Sequence, residues 1–136
     1  MCLTAFRRLW PVAKRSSHIF TALVADIILV IAFAAVGFYT HAQVLTVDGV
    51  VQTSWPFLVG LGCAWILSAA WTAPLAPMRT GVAIWSTTIL LGMIVRFAVG
   101  AGIAGPFIIV ASALNFLTLV GWRVIARAVG GRSAKR

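Results

Sequence analysis

The chain has 136 residues, 62% of them apolar and only 10% charged, more apolar surface than a soluble domain of this size can hide from water. Its net charge of +9 comes from eleven Lys and Arg against two acids. These basic residues sit at the ends of apolar runs, not on a stripe among polar and aromatic side chains, which argues against nucleic acid as a partner and for the lipid bilayer as the solvent.

In chain order, residues 1–17 form a basic segment carrying Arg7, Arg8, Lys14 and Arg15. The apolar run HIFTALVADIILVIAFAAVGF follows, a first transmembrane helix at about 18–38, long enough to cross a hydrocarbon core about 30 Å thick. It is longer than the apolar region of a cleaved signal, so a signal-anchor is expected. The next stretch, TVDGVVQTSW, places Val47, Val50, Val51 and Ser54 at helical spacing behind Thr46, a suitable N-cap. It predicts a short interfacial helix at about 46–55, bent at Pro56 into a second span at about 56–72. The loop TAPLAPMR leads to a third span at about 80–100, and the turn GAGIAGP to a fourth at about 106–126. Residues 127–136 make a basic tail. The expected fold is an all-α membrane protein, with four transmembrane helices forming one domain over residues 18–126.

Orientation follows from the basic residues. They occur in the N-terminal segment, at Arg79 in the second loop, and at Arg123, Arg127, Arg132, Lys135 and Arg136 around the end of the fourth span. The first and third loops have none. By the positive-inside rule both termini are cytoplasmic, and the plasma membrane is the expected location. Trp10, Trp71 and Trp122 then fall near the inner interface, and Tyr39 and Trp55 near the outer one.

Polar groups inside a bilayer are costly, and functional sites are expected among them. Asp26, Arg96 and Asn115 stand out. Arg96 shares a helical face with Gly81, Trp85, Thr88, Gly92 and Gly100, and small residues on one stripe let a neighbouring helix approach. The fourth span offers Ser112, Asn115 and Thr118 on one stripe, and the first offers Ala22, Asp26, Phe33 and Gly37. Turned toward one another, these faces predict a buried polar cluster of Asp26, Thr88, Arg96, Ser112, Asn115 and Thr118. Asp26 at a helix centre calls for a partner or a proton. Arg96 is one candidate partner, although Asp26 lies about 12 Å and Arg96 about 24 Å above the inner ends of their spans. Asp48, the carbonyls of GAGIAGP, or snorkelling to the outer interface would also satisfy Arg96. His41 and Asp48 are the outer-side candidates; His18 and His41, at opposite faces, read as interfacial residues.

With two acids and two histidines in the whole chain, no metal, nucleophile or phosphate-loop constellation can be assembled, so neither an enzyme nor a cofactor is expected. Cys2 and Cys63 have no zinc or disulfide spacing, and Cys63 reads as a small packing residue.

The order of FAAVG after Asp26, TVDGVVQTSWPFLVG, TGVAIW…GMIVR and PFIIVAS…GWR resembles a small prokaryotic membrane family filed as domain of unknown function 3054. The likeness covers about residues 20–125 and implies a four-helix membrane protein without supplying an activity. Asp26, His41, Trp55, Pro56, Gly81, Arg96 and Trp122 belong to the pattern it implies. Two functions compete. One is a structural or accessory membrane protein, self-associating or part of a larger complex. The other is a small oligomeric transporter or channel using Asp26 and Arg96.

Overall fold

The computed structural model describes residues 2–133, with side chains described over residues 18–132. The side chains of the basic N-terminal segment, and residues 134–136 of the tail, lie outside the described residues. Four long helices account for most of the chain: α1 Cys2–Ala42, α2 Val47–Leu67, α3 Val82–Ala98 and α4 Gly105–Ser133. The segments His18–Ala42, Val47–Leu67, Pro77–Ala98 (α3 with the turn that leads into it) and Gly105–Arg132 are each long and apolar enough to cross a membrane. Among the described residues there is no strand.

The separate interfacial helix is not observed. Residues 47–67 form one continuous helix through Pro56, capped by the Thr46 side chain accepting from Gly49 N–H at 3.2 Å. Length explains the correction. Twenty-one residues reach about 32 Å, whereas the part after Pro56 alone would fall far short of a bilayer. The helix ends at Leu67 because Ala69 turns left-handed (φ 47°), which puts Trp71 and Thr72 in a short 3-10 turn outside the span. A five-residue π-helical turn, Pro77–Gly81, feeds α3. The other end of α3 closes on Gly100 (φ 72°), with Gly100 N–H bonded to Phe97 O and Ala101 N–H to Arg96 O. That is a Schellman ending, whose left-handed position favours glycine.

The helices pack in a cycle, α1 on α2, α2 on α3, α3 on α4 and α4 back on α1, with the α2–α3 interface the most extensive. Small residues set that interface. A Cβ on Gly60 would lie 2.7 Å from Thr88 O, and one on Gly92 would clash with the Cδ1 edge of the Phe57 ring. The predicted stripe on α3 therefore does face the bundle along Gly81, Thr88 and Gly92, while Gly100 beyond it is exposed. Phe57 meets Phe33 edge-on at 5.6 Å and Phe107 at 6.5 Å, joining α1, α2 and α4. Below this cluster Val30, Leu61, Ala64, Ile84 and Leu119 complete the buried core. The outward faces carry large apolar side chains such as Phe20, Ile66, Leu90 and Ile109. At least 60% of each span's most apolar stretch is unburied, more than a water-soluble bundle tolerates.

Candidate functional site

The charged centre of the bundle joins Asp26 of α1 to Arg123 of α4, both fully buried. Asp26 continues the inward face Ala22, Val30, Phe33 and Ala34, and Arg123 continues Ala111, Asn115 and Leu119, at helical spacing in both cases. The guanidinium binds end-on, through its two terminal nitrogens. Its NH1 donates to Asp26 Oδ1 at 2.8 Å and its NH2 to Oδ2 at 2.6 Å, the paired geometry that suits arginine to a carboxylate. Trp65 of α2 donates its indole N–H to Oδ2, and Trp122 of α4 donates its own to Oδ1, both at 2.9 Å. Each carboxylate oxygen thus accepts two hydrogen bonds, which fills the sites an ionised carboxylate offers.

Arg123 is held just as fully. Its Nε–H donates to Pro74 O in the α2–α3 connection at 2.9 Å, and NH1 also donates to Leu119 O one turn back. The guanidinium carbon lies 4.8 Å from the Trp122 ring centre, a cation–π distance. Gly81, at the entrance to α3, closes the last side, since a Cβ there would sit 3.3 Å from Arg123 Cδ. Helices α1, α2 and α4, the α2–α3 connection and the lead-in to α3 all meet at this pair. It can hold helices in register.

Arg96 is not the partner of Asp26. Its NH2 donates to Ala101 O at 3.4 Å and Gly102 O at 3.5 Å, both in the α3–α4 turn, and its guanidinium carbon lies 5.0 Å from the Phe107 ring centre. Of the groups considered for Arg96, the turn carbonyls are the ones it meets. Asp48 is exposed in the first turn of α2 and forms no ion pair among the described residues.

The remaining predicted residues do not form one cluster. Asn115 is buried but donates to Ala111 O on its own helix at 2.9 Å. Thr118 bonds back to Leu114 O on its own helix, and Ser112 offers only its carbonyl, to the Trp85 indole at 2.8 Å. The Thr88 hydroxyl is buried at the α2–α3 crossing without a hydrogen-bond partner among the described residues. For Asn115 and Thr118 the physical reason is that an amide or hydroxyl on a helix finds a carbonyl three or four residues back without leaving its own helix. Asp26, by contrast, carries a full charge and drew its partner from another helix. His41 is exposed at the end of α1, bordering the same cavity as Arg96, and His18 is exposed near the other end of that span.

Sequence reasoning overlooked Arg123 by treating it as an interfacial cation. The signal was available in the depth arithmetic. Three residues from the predicted inner end of its span, Arg123 lies about 5 Å above that end, against about 12 Å for Asp26. One arginine side chain covers the difference. Trp65, two residues before the end of α2, was overlooked because an indole at that depth reads as an interface anchor or as packing.

The fold and this centre define an all-helical bundle of four helices long and apolar enough to cross a membrane, pinned near one end by a saturated ion pair. Residues 23–126 match the model of the family described as a protein of unknown function (DUF3054), and the chain belongs to that family. The match takes in Asp26, Trp65, Arg96, Trp122 and Arg123. No curated protein and no solved structure matches the chain.

Proposed function

We propose that the chain is an integral protein of the plasma membrane, with both termini cytoplasmic, whose role is structural or accessory and neither catalytic nor transporting. It would act by associating with itself or with a larger membrane complex. The observation that carries this reading is the saturation of Asp26, each of whose oxygens is taken by two donors. A carboxylate held in this way ties helices together. The orientation rests on the charge asymmetry, which leaves the α1–α2 and α3–α4 connections without Lys or Arg. The transport alternative needed Asp26 and Arg96 in one path, and it loses support because each is engaged by different groups.

Affinity capture from native membranes, with identification of co-purifying proteins, tests the accessory role; a stoichiometric partner or a self-complex is the expected result. In parallel, wild-type chain and the Asp26→Asn/Arg123→Gln double variant are reconstituted in liposomes. A proton or ion flux through the wild type that is lost in a normally folded double variant would overturn the proposal.

A further inference from the structure

The end of the bundle opposite the ion pair holds a second feature. A cavity of about 570 Å³ opens there between the end of α1, α2 and the α3–α4 turn, with Arg96, His41, Thr53 and Gly102 in its wall. An apolar cavity of about 490 Å³ adjoins it along α1 and α4, walled by Phe33, Val36, Val110 and Leu114. Gly37, His41, Ala104 and Phe107 border both. Arg96 stays ionised, yet the chain has two acids, of which Asp26 is committed to Arg123 and Asp48 forms no ion pair among the described residues. The Arg96 Nε–H is shielded from solvent and lacks an acceptor among the described residues, and its NH2 has only two long bonds to carbonyls. Phe107, in the first turn of α4, borders the same space.

We propose that these joined cavities bind one anionic phospholipid, its phosphate at Arg96 and an acyl chain in the apolar groove between α1 and α4. The charge that the chain does not supply is brought by the headgroup, and the adjoining groove suits a tail. This inference rests on the reading of the chain as a membrane protein but not on its orientation or on its accessory role.

The test is native mass spectrometry of the purified chain in detergent, titrated with dioleoyl phosphatidylglycerol or dioleoyl phosphatidylcholine. The wild type is expected to retain one phosphatidylglycerol about fivefold more tightly than phosphatidylcholine, whose identical phosphate is balanced by its own choline cation, the scale of one basic residue facing net anionic lipid. Arg96→Gln should abolish the preference, and Arg96→Lys should keep part of it. Gly37→Leu is the second variant, because Gly37 borders both cavities and a Cβ there meets nothing within 4 Å, so bulk can be added at the shared wall. It should weaken retention of the lipid with Arg96 intact. Equal retention of the two lipids by the wild type, or an undiminished preference in Arg96→Gln or Gly37→Leu, overturns the proposal. So does displacement of the lipid by an equal concentration of inorganic phosphate, which would make this a site for a free anion. A carbonate wash of the membranes separates the two readings. If the chain is washed off, the membrane reading and the lipid site fall together; if it is retained but shows no lipid preference, the lipid site alone falls.

Discussion

Arg123→Gln removes both guanidinium hydrogen bonds from Asp26 and leaves a buried carboxylate facing only the Trp65 and Trp122 indoles. Breaking a buried pair from one side costs about 3–5 kcal/mol, because the surviving charge keeps its desolvation penalty and loses its compensation. Asp26→Asn should fall toward the lower end of that range, since the Pro74 and Leu119 carbonyls still receive the guanidinium. In the double variant no charge is stranded. The carboxamide oxygen that replaces the Asp26 carboxylate can still accept from an indole, so the expected loss is about 1–2 kcal/mol, that of one or two neutral hydrogen bonds. The double-mutant cycle should then yield a coupling of about 4 kcal/mol or more, while Asp26→Asn combined with Arg96→Gln should be additive to within about 0.5 kcal/mol. The assay is SDS-driven unfolding of purified chain in detergent micelles, followed by far-ultraviolet circular dichroism. Additive losses for the Asp26–Arg123 cycle, or equal coupling of Asp26 to Arg96, would refute the reasoning.

Two further predictions concern backbone approach and turn geometry. Gly92→Leu should destabilise the chain by about 1–3 kcal/mol through overpacking against Phe57, and Phe57→Ala in the same chain should recover part of the loss in the same unfolding assay. Gly100→Ala should cost about 1–2 kcal/mol, the penalty of a side chain in the left-handed region, whereas Gly105→Ala, in open space and at an ordinary φ, should be close to neutral.

Much of the bundle was legible in the sequence because membrane insertion depends on length and hydropathy, both local properties. The approximate positions of four spans, the N-cap at Thr46 and the inward face of α3 at Gly81, Thr88 and Gly92 could all be read directly. The second span was misjudged because Pro56 was taken as a boundary. Proline removes one donor and crowds one turn, but a helix tolerates that when its flanking residues gain more by continuing, and only a helix begun at Val47 reaches across a bilayer.

The sequence by itself determined that Asp26 needed a partner, since a charge in an apolar run carries a desolvation penalty wherever the chain folds. It also determined that Arg96 faces the bundle near the end of its helix. Which cation meets Asp26 was decided only by tertiary structure. That choice depends on the depths of α1 and α4, on their being neighbours, and on the α2–α3 connection bringing Pro74 O to Arg123 Nε. Tertiary structure likewise brought the Trp65 indole from 39 residues away and the Trp122 indole from 96 onto the same carboxylate. Helical periodicity assigns each side chain a face, but contact between faces is set by helix order and relative depth, neither of which is a property of any one segment.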